Sequence, residues 1–223
     1  PNTGTDYFLF GNKAEAVAKE NNIMFSVNWV EGQKTGFFLD QRENRKLLGE
    51  FSKGKKVLNT FCYTGGFSIY AMSAGAELVT SVDISQKAVD LAASNMELNF
   101  PNANHKAVAD DVFNFMKEHT QQYDVIVLDP PAFAKSIKSK HTATQAYKRL
   151  NIAGLKALAP NGILFTFSCS QVIDDVLFYN TVAAAAIETG RNIRVLHKLE
   201  QGPDHPTNIY HPEGHYLKGL VLF

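Results

Sequence analysis

Cys169 is the side chain of this sequence best suited to covalent chemistry. It follows the apolar run 162–167 and lies between Ser168 and Ser170. A thiolate leaving a strand at this point could attack an electron-poor ring carbon, whereas a free cysteine is more often a small buried hydrophobic residue. Cys62, the second cysteine, lies within a glycine-rich segment, and we rank it well below Cys169 as a nucleophile.

An acid followed by two prolines forms a second candidate group. Asp129 ends the apolar run 125–128 and precedes Pro130 and Pro131. Two prolines give a rigid, extended exit without backbone N–H groups, which would hold Asp129 and Phe133 in fixed positions. Phe133 could then stack on a flat substrate. The alternative is a strand stop followed by a core phenylalanine, and we favour the functional interpretation.

A glycine turn indicates a cofactor with an adenosine part. The apolar segment 57–61 runs into Gly65-Gly66, and the next apolar run ends at Asp83. The glycines would let the backbone approach a ligand, and the carboxylate would accept hydrogen bonds from ribose hydroxyls. A dinucleotide fingerprint needs a third glycine, which is absent at the required spacing. The alternative is a tight turn with an acid that faces solvent.

Asp110 and Asp111 follow another predicted strand and have two compatible interpretations. They could cap the helix that begins there, because an acid pair before Val-Phe is an ordinary helix N-terminus. One of the acids could instead accept a hydrogen bond from the amino group of adenine. The sequence leaves both interpretations open.

Strands and helices alternate strictly from residue 55 onward. Strands are predicted at 56–61, 78–83, 105–109, 124–129, 162–168, 192–197 and 217–223, and helices near 66–74, 85–99, 111–119, 142–158 and 174–189. The apolar runs 125–128 and 163–165 are typical of central parallel strands covered on both faces. We therefore predict an α/β fold, with a Rossmann-like seven-stranded, mostly parallel sheet, helices on both faces and an antiparallel last strand. The strand ends should meet at one edge of this sheet.

The N-terminal region is predicted to add a β-hairpin. Residues 24–29 alternate like a strand, 31–33 carry a turn signal, and 36–39 would form the returning strand. A helical stretch is expected around 14–19. Asp40 could cap a further helix that runs to about residue 51.

The last two predicted strands are joined by a segment rich in glycine, proline and histidine, residues 201–215. It is too long for a simple hairpin, so a functional loop or lid is expected. Its histidines, His205, His211 and His215, lack accompanying ligands with metal-site spacing, and no metal is predicted.

Composition limits the classes of function. The chain has 223 residues, 45% hydrophobic and 20% charged, which suffices for one sizeable core. Its 22 basic and 22 acidic residues give zero net charge, so there is no bulk electrostatic footprint for nucleic acid. Two cysteines fit a reducing compartment, and neither a membrane span nor a secretory signal is recognisable. We expect a cytoplasmic protein.

Together the glycine turn, Asp83, the Asp-Pro-Pro segment and the terminal strand pair resemble class I S-adenosylmethionine-dependent methyltransferases. From about residue 22 to the end, the chain further resembles the bacterial large-subunit ribosomal RNA methyltransferases that make 5-methylcytosine. The strings that carry this second resemblance are 36–42, 63–67, 110–113, 129–131, 167–170 and 212–219. Among these strings, Leu-Asp-Gln-Arg and Ser-Cys-Ser are shared by the fewest other methyltransferases.

This resemblance implies S-adenosylmethionine as cofactor, RNA as substrate, and a methyltransferase domain over 51–223 that follows an N-terminal segment over 1–50. Arg42 would pair with the cofactor carboxylate and Ile84 would pack on adenine. The implied cofactor-binding residues are Asp40, Gln41, Arg42, Phe61, Tyr63, Thr64, Gly65, Gly66, Asp83, Ile84, Asp110, Asp111, Asp129 and Pro130.

The same resemblance implies catalytic roles for Cys169 and Asp129. Cys169 would add to carbon 6 of cytosine and so activate carbon 5, with Asp129 beside the sulfonium and the target base. Pro131 and Phe133 would contact the substrate. Members of the family usually carry an RNA-binding PUA domain, for which this chain has no room, and often have lysine where Ala132 stands.

Two other functions stay open from the sequence. The Asp129–Phe133 segment resembles the Asn/Asp-Pro-Pro-aromatic segment of enzymes that methylate exocyclic amino groups. The chain could also be a cofactor-binding module that acts with a separate RNA-binding partner. A homodimer is left open as well.

Overall fold

Nine strands and six α-helices are found in the computed structural model, which describes residues 11–30, 32, 36–134 and 136–223. The strands are β1 Glu15–Glu20, β2 Ile23–Asn28, β3 Lys56–Thr60, β4 Leu78–Asp83, β5 His105–Ala109, β6 Tyr123–Leu128, β7 Leu158–Ser168, β8 Val195–Leu199 and β9 Lys218–Leu222. The helices are α1 Arg42–Glu50, α2 Gly66–Ser73, α3 Gln86–Asn99, α4 Val112–Glu118, α5 Lys140–Ala157 and α6 Asp175–Thr189.

Seven strands form one sheet in the order β5-β4-β3-β6-β7-β9-β8. The pairs from β5 to β7 are parallel, and β9 runs antiparallel to both of its neighbours. β8 therefore points the same way as β7. The predicted mostly parallel sheet with an antiparallel last strand is confirmed, together with the helices around it.

The central strands are apolar because both of their faces are buried. On β6, Ile126 and Leu128 pack against α4, α5 and α6, whereas Val125 and Val127 pack on the opposite side with α1, α2 and α3. Alternate side chains of a strand point to opposite faces, so a continuous apolar run is what two covering layers require.

The N-terminal hairpin exists, but its strands differ from those predicted. β1 pairs antiparallel with β2, so the helix expected around 14–19 is wrong, and 36–39 form no returning strand. The connection is Asn21-Asn22, both with positive φ, 47° and 68°. Two such residues match the twist of a tight hairpin turn and direct the chain straight back. The predicted turn at 31–33 lies partly outside the described residues.

Asp40 does not cap α1, contrary to the prediction. It lies in a short 3-10 turn, Leu39–Gln41, and Gln41 precedes the helix without a side-chain capping bond. The carboxylate of Asp40 instead accepts a hydrogen bond from the Tyr216 hydroxyl at 2.6 Å. This partner is distant in sequence, so the local capping pattern was misleading.

Other boundaries moved by a few residues. The strand predicted at 162–168 begins earlier, at Leu158, and contains an irregularity where the register with β6 shifts and Asn161 has φ 59°. β8 occupies 195–199 rather than 192–197.

No helix in the described part of the chain has both the length and the apolar character needed to cross a membrane.

Candidate functional site

The carboxyl ends of β3, β4, β5, β6 and β7 meet at one edge of the sheet, because these strands are parallel. Ligands of open α/β sheets bind at this edge. The structure therefore brings together the ends of these strands and the segments that follow them, which contain Phe61, Tyr63, Thr64, Gly65, Gly66, Asp83, Ile84, Asp110, Asp111, Asp129, Pro130, Pro131, Phe133 and Cys169.

The glycine turn is tightly wound. Phe61 and Tyr63 have positive φ values of 53° and 45°, and Gly65 has φ 78°. A Cβ atom on Gly65 would lie 3.0 Å from the Cβ of Ala92 on α3. Backbone conformations that are rare for non-glycine residues concentrate at functional sites. The turn thus has the close packing that a ligand-cradling loop needs, and glycine is required at 65.

Asp83 fastens this turn to β4. One carboxylate oxygen accepts a hydrogen bond from the backbone N–H of Tyr63 at 3.1 Å, and the other accepts from the N–H of Ser85 at 3.0 Å. Each oxygen has a second lone pair for another donor. The next side chain, Ile84, is 76% exposed. An exposed apolar side chain beside a carboxylate suits the flat base and the hydroxyls of adenosine.

The acid pair after β5 has the capping role. Asp111 Oδ1 accepts hydrogen bonds from the N–H groups of Phe113 at 3.0 Å and Asn114 at 3.1 Å. Asp110 accepts from the N–H of Asp111 at 2.7 Å and donates its own N–H to the carbonyl of Asp83. The capping interpretation is confirmed. It is compatible with the second interpretation, in which one of the acids contacts adenine.

Cys169 lies beside the exit of β6. Its Sγ is 3.9 Å from the carbonyl oxygen of Pro130, and its side chain is half-buried. The hydroxyl of Ser170 donates to the carbonyl of Ala134 at 2.7 Å, which ties the two strand exits together. The predicted proximity of the cysteine and the Asp-Pro-Pro segment is therefore present in the structure.

Phe133 combines the two predicted alternatives. It is half-buried and packs on the core, with its ring centroid 4.7 Å from that of Tyr147. Pro131 is exposed, whereas Asp129 is half-buried. The aromatic ring is thus held partly by the core and partly open at the site.

Cys62 lies below the turn rather than at its surface. Its side chain is buried, and burial together with the nearby Asp83 carboxylate raises the pKa of the Cys62 thiol. A thiolate is therefore disfavoured at this position.

Asp40, Gln41 and Arg42 lie beside the loop between β8 and β9, where the N–H of Gly202 donates to the carbonyl of Asp40 at 3.4 Å. Gln41 is buried and accepts a hydrogen bond from Asn44 at 2.7 Å. Arg42 forms ion pairs with Glu43 at 2.9 Å and Asp204 at 3.1 Å. Its guanidinium would have to give up at least one of these two ion pairs to bind a cofactor carboxylate.

The loop between β8 and β9 is fastened at its base. Gln201 is buried, donates to the carbonyl of Gly214 at 2.7 Å and accepts from the N–H of Leu217 at 3.3 Å. Its tip presents Ile209 and Tyr210, 87% and 86% exposed. Because β8 runs parallel to β7, this loop leaves the sheet at the same edge as the site.

Three groups near the site were missed by sequence reasoning. Arg45 is buried and pairs with Glu20 of β1 at 2.7 Å, close to Gly66. Lys218 is buried beside Ser170, and Tyr147 is buried with its ring against Phe133. Lys218 lies within the segment 212–219 that carries the family resemblance, which is the only sequence signal for it. No local sequence pattern marks Arg45 or Tyr147.

A buried polar chain lies under the glycine turn. Asn59 donates to Ser68 at 2.9 Å, Ser68 contacts Ser81 at 2.6 Å, and Ser81 contacts His105 at 2.8 Å. Burial lowers the pKa of His105 to about 4. The chain links β3, α2, β4 and β5 and so supports the turn from below.

The fold and this edge define a Rossmann-like protein that binds an adenosine-containing cofactor. A model of the S-adenosylmethionine-dependent methyltransferase family matches residues 4–220, and the chain belongs to this family. Its cofactor is accordingly S-adenosylmethionine, which the exposed Ile84 beside Asp83 and the close-packed Gly65 both fit.

Similar proteins have been described in bacteria. The chain is 43% identical to ribosomal RNA large subunit methyltransferase I of Aeromonas hydrophila over 99% of its length, and 45% identical to that of Aeromonas salmonicida over 92%. It covers 56% and 53% of these relatives, so it spans slightly more than half of their length. The solved structure of SMU.776, provisionally assigned as a methyltransferase and in complex with SAH, matches with a TM-score of 0.84 and 30% identity. That match covers 96% of this chain and 57% of the other.

Proposed function

We propose that this protein transfers a methyl group from S-adenosylmethionine to carbon 5 of a cytosine in ribosomal RNA, with Cys169 as the nucleophile. The observation that carries the proposal is the position of Cys169, half-buried at the cofactor edge with Sγ 3.9 Å from the Pro130 carbonyl. A ribosomal RNA substrate is further supported by the names of the relatives.

The cofactor would be held by the loops that follow β3, β4 and β5. Asp83 has lone pairs left for the ribose hydroxyls, and Ile84 offers an apolar face to adenine. Asp111 uses Oδ1 for capping, so its second oxygen would accept from the adenine amino group. When bound, the cofactor supplies an electrophilic methyl group. Arg42 would turn from Asp204 toward the cofactor carboxylate.

Cys169 supplies the activation that cytosine needs. Carbon 5 of cytosine is a poor nucleophile until a thiolate adds to carbon 6 and raises the electron density at carbon 5. After methylation, a base removes the proton from carbon 5, and the thiolate leaves carbon 6 again. Asp129, at the neighbouring strand exit, would face the same base, and Phe133 with Pro131 would orient it.

The loop 201–215 would contact the RNA. Its tip residues, Ile209 and Tyr210, are almost fully exposed on a loop whose base is fixed by Gln201. Exposed aromatic rings stack on unpaired bases, which is how single-stranded RNA is commonly held. Such contacts do not need the net positive charge that this chain lacks. With a ribosomal RNA substrate, and with two free cysteines, we place the protein in the cytoplasm.

Methyl transfer from labelled S-adenosylmethionine to unmodified large-subunit ribosomal RNA tests this function. We expect label on cytosine carbon 5 with the wild type and with Cys62→Ala, and none with Cys169→Ala. RNA that contains 5-fluorocytidine should form a covalent adduct only when Cys169 is present, because fluorine cannot leave as a proton does. Full activity of Cys169→Ala would refute the mechanism.

The second candidate function is methylation of an exocyclic amino group. The position of the methyl group in the product distinguishes it from methylation at carbon 5. The order Asp-Pro-Pro-x-Phe over 129–133, which directly follows β6 at the site, supports this candidate. Label on the amino nitrogen, independent of Cys169, would favour that reaction. Cofactor binding without any turnover on RNA would instead favour a binding module that acts with a partner.

A further inference from the structure

The acidic and basic residues of this chain are unevenly distributed. No acidic residue stands between Asp129 and Asp174, whereas six of the 22 lysine and arginine residues do. The rest of the chain therefore holds all 22 acidic residues but only sixteen of the basic ones. The zero net charge thus conceals a segment of strongly positive charge, and this segment begins at the candidate site.

The first part of the positive segment is exposed to solvent. We define the basic turn as residues 136–141, which join Ala134 to the first turn of α5. The side chains of Ile137, Lys138 and His141 are exposed, that of Ile137 to 80%. The basic turn therefore offers cationic and apolar groups to a partner that arrives from solvent.

Two contacts place the basic turn beside the candidate site. The Ser170 hydroxyl donates to the carbonyl of Ala134 at 2.7 Å, and four residues of chain keep the Cα of Lys138 within about 14 Å of the Cα of Ala134. Lys140 Nζ lies 3.4 Å from Asp174 Oδ2, at the start of α6. The basic turn thus lies next to the exits of both β6 and β7, where the target base is proposed to bind.

The lysines of the basic turn are available to bind an anion. Within the part of the chain that the structure describes, the Lys138 side chain forms neither an ion pair nor a hydrogen bond. The pair between Lys140 and Asp174 is weak, because the two side chains are 41% and 61% exposed and solvent screens them. Asp175, the next acid, lies 3.4 Å from the imidazole of His215. A phosphate could therefore replace Asp174 at Lys140 without leaving a buried charge unpaired.

We propose that the basic turn binds the sugar-phosphate backbone of the RNA substrate, with Lys138 and Lys140 on phosphates and His141 as a further donor. The inference rests on the function proposed above, in which RNA is the substrate. Exposed ammonium groups complement a polyanion, and phosphate contacts position a nucleic acid without reading its sequence. The exposed Ile137 would pack against a sugar or a base. Anionic membranes suit the turn less well, because membrane binding typically uses clusters of about four to eight cations.

Binding of a fluorescein-labelled, unmodified single-stranded RNA, followed by fluorescence anisotropy without cofactor, measures these contacts. Each phosphate contact on a single strand adds about 0.7 to the slope of the logarithm of the binding constant against the logarithm of salt concentration. For Lys138→Gln/Lys140→Gln we expect this slope to fall by about 1.4 between about 50 and 200 mM salt, and the affinity at about 0.1 M salt to fall about tenfold. A wild-type protein that binds no RNA at the lowest salt concentration would overturn the proposal.

Two control variants separate the position of the charge from its amount. Lys138→Arg/Lys140→Arg keeps both charges and should retain the wild-type slope. Lys55→Gln/Lys156→Gln removes two exposed charges from the opposite edge of the sheet, and Lys156 is sixteen residues, about 24 Å, along α5 from Lys140. This distance exceeds the screening length, so RNA affinity should stay within about twofold of wild type. An equal loss of affinity in Lys55→Gln/Lys156→Gln, or wild-type binding by Lys138→Gln/Lys140→Gln, would overturn the proposal.

Turnover distinguishes this surface from the proposed chemistry. Lys138→Gln/Lys140→Gln should raise the KM for RNA about tenfold and keep kcat within about twofold, because backbone contacts bind the substrate and the transition state equally. RNA binding with the expected change of slope, but without methyl transfer by the wild type, would retain the surface and refute only the proposed methylation. Binding to phosphatidylserine vesicles that depends on these lysines, with no such dependence for RNA, would overturn the proposal.

Discussion

Substitution of Gly65 by alanine tests how tightly the cofactor turn is packed. Gly65 has φ 78°, and an added Cβ would lie 3.0 Å from the Cβ of Ala92 and 3.1 Å from its Cα. The left-handed conformation costs an alanine about 1–2 kcal/mol, and overpacking against a helix costs about 1–3 kcal/mol. We expect Gly65→Ala to lower the free energy of unfolding by about 2–5 kcal/mol and to weaken cofactor binding.

Urea unfolding followed by circular dichroism measures this loss, and Gly54→Ala is the matched control. Gly54 has a similar φ, 68°, but an added Cβ would meet no atom within 4 Å. It therefore reports the backbone cost alone, and the difference between the variants, about 1–3 kcal/mol, reports the contact with Ala92. Calorimetric titration with S-adenosylmethionine should show weaker binding for Gly65→Ala only. Equal unfolding free energies for the two variants would refute the packing argument.

Three further predictions concern other parts of the molecule. Glu20→Gln removes the carboxylate that pairs with the buried Arg45 guanidinium, so it should lower the free energy of unfolding in urea by about 3–5 kcal/mol. The double variant Glu20→Gln/Arg45→Met should recover most of this loss. A Glu20→Gln variant as stable as the wild type would contradict the prediction. Burial lowers the pKa of His105 from 6.5 to about 4, so the unfolded chain binds more protons between these values and stability falls as pH drops through them. His105→Gln should remove about 2 kcal/mol of that fall in unfolding titrations at pH 4 to 7, and an unchanged pH profile would count against the assignment. Tyr210→Ala should raise the KM for RNA several-fold without changing cofactor affinity. The control Phe223→Ala, at the opposite end of β9, should change neither the KM nor the cofactor affinity. Equal effects of the two variants on the KM would argue against an RNA contact by the loop.

The main sheet was predictable because its patterns are local. A strand buried on both faces needs a continuous apolar run, and 125–128 has one. The strand ends could then be placed at one edge from their parallel direction alone. The neighbourhood of Cys169 and Pro130 follows from this topology, without any knowledge of side-chain positions.

The first strand of the hairpin was predicted as a helix because its local composition is misleading. Residues 15–20 contain alanine, glutamate and lysine, which favour a helix, although their pairing partner β2 begins only three residues after β1 ends. The decisive signal was Asn21-Asn22, since asparagine tolerates the left-handed conformation at both turn positions. The capping pattern at Asp40 failed for a different reason, because Tyr216 binds its carboxylate from far along the chain.

Much of the support of the cofactor turn comes from contacts between distant residues. Asn95 of α3 is buried and donates its amide N–H to the carbonyl of Thr64 at 3.0 Å. The oxygen of the same amide accepts the backbone N–H of Ser26 at 2.7 Å. One side chain thus joins the glycine turn to the hairpin strand β2, because an amide can donate through its nitrogen and accept through its oxygen. Because both bonds are shielded from water, a displacement of the hairpin would leave a buried polar group unpaired at the turn. The hairpin therefore helps to hold the turn in shape.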